Sequence, residues 1–503
     1  MIGIIAIVDF GLGLVTLLIA RRLYLRKRGA HLPPGPGRLP LIGNLLNMPK
    51  EKEWLAFADW GEKYGDLVSV SILGKRFIIV NSVQIAVDML EKKGSIYSER
   101  PIVTMGGELI GWKNAMALLP YGERLRSYRR LFYHTIGNST SMSTFHSVEE
   151  AETHKFLKRL VSSPQYLAKH IRHTSGAIIL HISHGYEVKE SDDPLVELAD
   201  TALGQFSLST APGGFAVNLF PLLRYIPEWF PGAKFKKVAR EWEATREEFV
   251  EKPHRFVKDQ MATGIAPQSY TASLLADPEL TPEKEYNIKW SAASMYGGGS
   301  DTTVSSLYAF FKAMALYPEV AAAAQAEIGA VIGSDRLPSF ADREDLPYIN
   351  ALVLEVLRWH AVVPTSVPHV VKEDNIHNGY LIPKGALVIT NIWQMQRDPK
   401  LYDDPLVFNP KRFLGPNPQC DPRKMCFGFG RRICPGRVMA EASIFISCAM
   451  TLAVFDISKY VEDGRIIEPV VDQTTGTISH PTAFQCTIKV RSQKALDLIL
   501  GDI

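Results

Sequence analysis

This 503-residue chain is poor in cysteine, in net charge and in linker sequence. Its five cysteines, Cys420, Cys426, Cys434, Cys448 and Cys486, are odd in number and contain no CxxC pair. Neither a zinc site nor a disulfide framework is expected from such a set, and reduced thiols suit a cytosolic face. A formal net charge of +3 is close to neutral for this length, so nucleic acid is not an expected partner. No Gly/Ser/Pro tract, repeat or low-complexity run interrupts residues 50 to 495. Length alone would suggest several domains. Without any break, one large domain over residues 51–503 is the better expectation, and 46% hydrophobic content gives it a sizeable core. The run Gly297-Gly298-Gly299 is not followed by the lysine that a phosphate-binding loop requires.

Nothing basic precedes the apolar run Ile2–Ala20, and no small-residue cleavage site follows it, so a cleaved signal peptide is not expected. The run is about long enough to span a bilayer core. Asp9 is its one ionisable residue. Near the centre an Asp costs roughly 2.5–3.5 kcal/mol, against about 4–7 kcal/mol returned by the Ile, Leu, Val and Phe residues. Insertion wins. Arg21, Arg22, Arg26, Lys27 and Arg28 follow at once, and the positive-inside rule then places the rest of the chain in the cytosol. Residues 1–28 thus read as a membrane anchor with a basic stop. Residues 29–50, with Leu32-Pro-Pro-Gly-Pro-Gly37, read as a stiff hinge. A cytosolic domain would not expose the sequon Asn138-Ser-Thr140 to glycosylation.

The most informative stretch is Phe427-Gly-Phe-Gly-Arg-Arg-Ile-Cys434-Pro-Gly436. Gly428 and Gly430 allow a tight turn close to a flat ligand. Arg432 offers five donors suited to a carboxylate. Pro435 suits the start of a helix, and Val438–Leu452 is apolar enough to be a buried one. Its N-terminal N–H groups and dipole would favour a negative sulfur at Cys434. A lone cysteine in a glycine turn is more often a small buried hydrophobe; the ten-residue pattern outweighs that reading here. Upstream, each glycine of Gly297–Gly299 costs about 1 kcal/mol inside a helix. The apolar flanks Ile288–Met295 and Val304–Leu316 nevertheless predict one long buried helix through them. Thr302 can bond back to a carbonyl one turn earlier, leaving a polar notch. Glu355 and Arg358 share a helix face.

The cysteine stretch resembles the haem-binding signature of the cytochrome P-450 family, Phe-x-x-Gly-x-Arg-x-Cys-x-Gly, at Phe427, Gly430, Arg432, Cys434 and Gly436. The resemblance covers most of the chain. It is closest to fungal microsomal members of the O-methylsterigmatocystin oxidoreductase-like type, on Gly-Ser-Ile-Tyr-Ser-Glu-Arg-Pro around Arg100 and on Tyr296-Gly-Gly-Gly. It implies a mainly α fold with small β-sheets, and it makes Cys434 the axial thiolate of a haem b iron. Thr302 becomes the alcohol that steadies activated oxygen, and Asp301 the acid that helps feed protons. Arg100, Arg129, His369 and Arg432 become partners of the haem propionates. Leu125 stands where the family usually has a Trp that also reaches a propionate, so weaker anchoring is expected there, offset by Arg126 or Arg130. Glu355, Arg358 and Arg412 of Phe408-Asn-Pro-Lys-Arg412-Phe413 become a structural lock, and Asn391-Ile-Trp393 confirms the register.

By the same resemblance, substrate contacts come from Ile102–Ala117, Met295–Gly298, Val362–Val367 and Thr475–Ser479, of which Val362, Val363, Pro364 and Val367 are apolar. The implied activity is insertion of one atom of dioxygen into a lipophilic small molecule: a terpenoid, polyketide or aromatic compound of secondary metabolism, alternatively a xenobiotic or fatty acid. No flavin or nicotinamide domain follows Cys434, so electrons are expected from an NADPH–cytochrome P-450 reductase. Basic patches at Arg126, Arg129 and Arg130 or at Arg423 and Lys424 are candidate docking points. The expected location is the endoplasmic reticulum membrane. A non-oxygenating haem-binding protein is the rival reading, and the acid–alcohol pair argues against it. The stretch Leu219–Phe230 is either core or a second membrane-dipping element, with Lys234, Lys236 and Lys237 placed for lipid headgroups.

Overall fold

The computed structural model describes residues 31–211 and 214–501. The anchor read at Ile2–Ala20 and its basic stop lie outside these residues. The helices of twelve residues or more are, in order, α1 (Glu53–Tyr64), α2 (Glu123–Thr135), α3 (His146–Ser162), α4 (Leu167–His184) and α5 (Pro194–Thr210), then α6 (Lys234–Ala262), α7 (Pro282–Leu316), α8 (Pro318–Val331), α9 (Pro347–Trp359) and α10 (Arg437–Val454). Among the described residues, three small sheets accompany these helices. β1 (Leu67–Ile72), β2 (Lys75–Val80), β6 (Leu387–Thr390) and β3 (His369–Val370) form one in the order β1-β2-β6-β3, with β2 and β6 parallel. β4 (Asn375–His377) pairs with β5 (Tyr380–Ile382), and β7 (Phe455–Glu462) lies between β8 (Arg465–Ile467) and β9 (Cys486–Val490). The expected mainly helical architecture is observed.

The axis of the fold is α7, whose 35 residues span about 50 Å. Thr281 caps its start by accepting the Lys284 N–H, Pro282 sits in the first turn, and Glu283 and Glu285 complement the dipole there. The helix runs unbroken through Gly297–Gly299. Packing explains two of those glycines. A Cβ on Gly299 would lie 2.9 Å from Ile179 side-chain atoms of α4, and one on Gly297 would lie 3.1 Å from Leu203 of α5. Only Gly298 would meet open space. Of the three, Gly298 and, on one side, Gly299 line the cavity described below.

Beneath α7, α10 is buried on nearly every face, as its composition predicts. Among the described residues it is the one helix long and apolar enough to cross a membrane, and most of it is inside the core. Glu355 of α9 receives two bonds from Arg358, at 2.7 and 2.8 Å, and one from Arg412 at 3.2 Å. All three side chains are buried. Arg358 further donates to the carbonyls of Gln396, Pro405 and Val407, and Arg412 to that of Asp403. The irregular segment 396–419 is thereby tied to α9. An exposed Glu–Arg pair would contribute little; this one is a lock.

The core alternative for Leu219–Phe230 falls. Leu222, Tyr225 and Trp229 are 78, 69 and 81% exposed, and Phe220 and Phe230 about half exposed.

Candidate active site

The loop Phe427–Gly436 puts Cys434 under the floor of a cavity of about 340 Å³ between α7 and α10. The turn closes through Cys434 N–H to the Phe427 carbonyl at 2.8 Å and Ile433 N–H to that of Gly430 at 3.1 Å. Gly428 and Gly430 both have positive φ, at 77° and 56°. A side chain on Gly430 would run into the Leu90 carbonyl, so no other residue fits there. The helix beyond begins at Arg437 with Gly436 at its cap, two residues after the expected Pro435 start.

Burial raises the Cys434 thiol pKa, while the Gly436 N–H, Arg129 and Arg437 pull it down. Burial prevails over the helix N-terminus, so the sulfur is held as a thiol until a cation reaches it. A coordinated metal ion deprotonates such a thiol outright.

Three guanidiniums face the same cavity: Arg100, Arg129 and Arg432. Backbone carbonyls hold each in place. Arg100 donates to Val367 and Pro368, Arg129 to Ile433 at 2.7 Å, and Arg432 to Ser98 and Leu119 at 2.8 and 2.7 Å. Among the described residues, no Asp or Glu lines the cavity. Burial and the neighbouring Arg432 push Arg100 down to about 9; burial, opposed by Glu99, and the neighbouring Arg129 push Arg432 down to about 10. Arg100 Nε is buried without any partner. Such a set is incomplete without a multiply anionic guest. A flat ligand with two carboxylates and a metal above the sulfur fits the cavity's chemistry; haem b is such a ligand.

His369 also lines this rim. Its Nδ1 lies 2.7 Å from the Tyr97 carbonyl, so that nitrogen carries the hydrogen. Burial and the two arginines depress its pKa well below the usual range. Neutral, its Nε2 only accepts; binding a carboxylate requires a second proton, which an anion beside it favours. Leu125 lines the cavity and has no N–H to offer a propionate. Neither proposed substitute helps: Arg126 is half exposed and paired with Glu123, and Arg130 is exposed and outside the lining.

On the α7 side, Thr302 donates to the Gly298 carbonyl at 2.7 Å, the back-bond read from the sequence, and lines the cavity. Asp301 does not line it. Its carboxylate lies 3.2 Å from Arg172 of α4 and 3.1 Å from His480. Burial works to raise its pKa, but His480 and Arg172 hold it below the ordinary value. Sequence reasoning missed both partners: nothing local links them to Asp301, which lies 129 positions from Arg172. Met116, Ala117, Met295, Val362, Val363 and Val367 form apolar walls from three of the four expected substrate segments. The fourth, Thr475–Ser479, contributes nothing to the lining. Ser479 is instead buried against Ser305 and His360, its carbonyl accepting from Ser305 at 2.6 Å. Arg423, a proposed docking charge, is neutralised by Asp421 and Glu441.

A family model described as cytochrome P450 matches residues 33–485. The chain belongs to the cytochrome P450 family. It is 50% identical over 499 residues to cytochrome P450 monooxygenase 208 of Postia placenta, covering 98% of this chain and 97% of that protein. Identity is 45% over 507 residues with cytochrome P450 monooxygenase claR of Ampulloclitocybe clavipes, covering 99 and 94%. It is 41% over 484 residues with cytochrome P450 monooxygenase ppsD of Aspergillus oryzae, covering 94 and 92%. The chain is therefore a P450 monooxygenase of fungal type. P450 enzymes generally work with a haem-thiolate group, a reductase partner and lipophilic substrates.

Proposed function

We propose that Cys434 ligates a haem b whose propionates are held by Arg100, Arg129, Arg432 and a protonated His369. The observation that carries this is a cysteine thiol and three guanidiniums facing one cavity that no described acid lines. Held there, a haem would supply the chemistry of dioxygen activation, and electron donation from the Cys434 sulfur would favour O–O cleavage. The chain's own residues do the rest. Apolar walls from Met116 to Val367 exclude water and orient a lipophilic substrate over Gly298. Thr302 holds its hydroxyl beside that opening, ready to exchange its bond to the Gly298 carbonyl for one to a guest. Asp301, one residue away, passes protons from the Arg172 and His480 side.

In this reading residues 1–28 anchor the enzyme in the endoplasmic reticulum, residues 29–50 form the hinge, and residues 51–503 form a cytosolic catalytic domain fed by an NADPH–P450 reductase. The exposed stretch Phe220–Phe230, with Lys234, Lys236 and Lys237 after it, rests on the same membrane. Secondary-metabolite substrates of terpenoid, polyketide or aromatic type suit the apolar walls. Expression with a reductase tests the reading. Wild type should give the reduced carbon-monoxide Soret band, and Cys434→Ala should lose it together with all turnover. Thr302→Ala should keep the band but spend NADPH without product. A Cys434→Ala enzyme that retains the band rejects the ligand assignment.

A further inference from the structure

A second cavity, of about 440 Å³, lies between α3 and α4 and shares no lining residue with the one above Cys434. Lys155, Lys158, Arg159 and Ser162 follow one another at three- and four-residue spacing, which puts them on one face of α3. Tyr166, Lys169, His170 and His173 do the same across the start of α4. The turn Pro164–Tyr166 folds the second helix back on the first, so both faces line a single space. Glu190 and Ser191 of the loop before α5 complete it.

Lysine and arginine place four permanent cations on this lining, with two imidazoles, against the one carboxylate of Glu190. At the mouth the ion pairs are ordinary surface ones. Lys169 reaches Asp192 at 3.3 Å with both side chains mostly exposed, and half-exposed Lys155 reaches Glu152 at 2.8 Å. Such pairs contribute about 0–1 kcal/mol. The back wall is built differently. Arg159 is nine-tenths buried, held by Glu190 at 3.0 Å and the Thr174 hydroxyl at 2.8 Å, and its Nε has no acceptor. His170 is satisfied by the Ser163 hydroxyl and carbonyl, both at 2.9 Å. His173 is not: it is 8% exposed, lines the cavity and makes no hydrogen bond among the described residues. Burial and the neighbouring Arg159, against the pull of Glu190 and Asp193, push it down to about 4. It therefore stands neutral, with one N–H to donate and one bare nitrogen. Whatever satisfies this ring must enter from the cavity.

We infer that this cavity binds an organic phosphate carrying two or more negative charges, with Arg159 and His173 at its back and Lys155, Lys158 and Lys169 around its mouth. A guanidinium fixed in a wall and mobile ammonium groups at the rim are a donor set suited to phosphate oxygens. The space lies in the range of small-molecule pockets, about 300–1,000 Å³, and would leave a lone inorganic ion loose. Tyr166, 58% exposed at the mouth, offers a ring face to the part of the guest that is not phosphate. Glu190 is the competitor on Arg159; its side chain is 64% exposed, so it can swing into water as a phosphate takes its place. A soluble organic phosphate and the phosphorylated headgroup of an inositol lipid present the same chemistry here. The site stands apart from the monooxygenase reading, since the two cavities share no residue.

Titration calorimetry of the full-length, haem-loaded enzyme at low salt tests the site with four probes: inorganic pyrophosphate, ATP, inositol trisphosphate and a soluble short-chain phosphatidylinositol bisphosphate. At least one of the three organic probes should bind at one equivalent, more tightly than pyrophosphate, with an affinity that falls as salt rises. Arg159→Gln should weaken that binding by about ten- to a hundredfold, and His173→Ala by about three- to tenfold. The exposed pair Lys158→Gln with Lys169→Gln should weaken it by about tenfold. All of these variants should keep the carbon-monoxide band and the turnover of wild type. If Arg159→Gln does not fold, His173→Ala and the lysine pair decide. The short-chain lipid binding more tightly than ATP and inositol trisphosphate supports a membrane source for the phosphate, and the reverse order supports a soluble one. Failure of every organic probe to bind, or binding that wild type and the variants share equally, overturns the site. Loss of the carbon-monoxide band in wild type would instead overturn the haem reading and leave this result standing.

Discussion

Two clusters of charge, one buried around Glu355 and one half-buried on the cavity, are built on opposite principles. In the Glu355 cluster, two guanidiniums converge on one carboxylate and on surrounding carbonyls, and every strong donor has an acceptor. In the Arg100–Arg129–Arg432 cluster, three guanidiniums share a cavity with no acid, and one of their N–H groups has no acceptor. The first is complete within the chain and serves the fold. The second is complete only with an anionic guest, and so marks a binding site. Residue type does not separate them; the balance of charge does.

The sharpest way to break this contrast is to unbalance the complete cluster. Glu355→Ala leaves Arg358 and Arg412 buried without their anion, and removing one partner of a buried pair typically costs about 3–5 kcal/mol. For a single domain of marginal stability that is a large fraction of the total. The expected outcome is a much lower Tm and little recoverable haem protein, measured by thermal unfolding and by the carbon-monoxide band. A Glu355→Ala protein within about 1 kcal/mol of wild type would dissolve the distinction.

The opposite sign is expected in the incomplete cluster. Arg129→Gln removes a charge that has no acid to pair with, so the haem-free protein should change by less than about 1 kcal/mol or gain stability. A charge-assisted bond to a carboxylate contributes about 1.5–3 kcal/mol. Haem retention should therefore fall by roughly ten- to a hundredfold, read by transfer of haem to a scavenging apoprotein. Equal loss of stability and of haem binding would mean that Arg129 is a structural residue.

The same contrast explains what could be read before any coordinates. The cysteine loop, the Thr302 back-bond, the long helix through three glycines and the Glu355–Arg358 pair were legible because each is written in residues a few positions apart. Whether Glu355–Arg358 is solvated or locked was not, since that depends on carbonyls from the segment 396–419 arriving over it. The partners of Asp301 were hidden for the same reason, Arg172 and His480 coming from distant segments. The roles given to Arg126 and Arg130 failed because proximity in sequence was taken for proximity to the cavity, and Thr475–Ser479, placed there by resemblance alone, lies outside the lining. Glycine was the most misleading letter: a run that reads as one device is divided between packing at Gly297 and Gly299 and open space at Gly298.

Lys312 offers an intermediate case that sharpens the comparison at a smaller scale. It is a buried cation on α7 with no ion-pair partner among the described residues, but its Nζ donates to the Val470 and Thr482 carbonyls at 2.8 and 2.9 Å and to the Thr482 hydroxyl at 3.1 Å. Its hydrogen bonds are met and its charge is not. Burial pushes it down to about 8, from an ordinary value of 10.5. The unfolded chain then binds a proton that the folded chain has lost between these two values, so this group makes stability rise with pH across that window. Wild type should gain about 2–3 kcal/mol relative to Lys312→Met between pH 8 and 10.5, the rise being steepest near the middle of that window. Denaturant unfolding at both pH values measures it. A difference that does not change with pH would mean that three neutral acceptors satisfy a buried ammonium as well as a carboxylate does, and charge balance would then no longer separate the two arginine clusters.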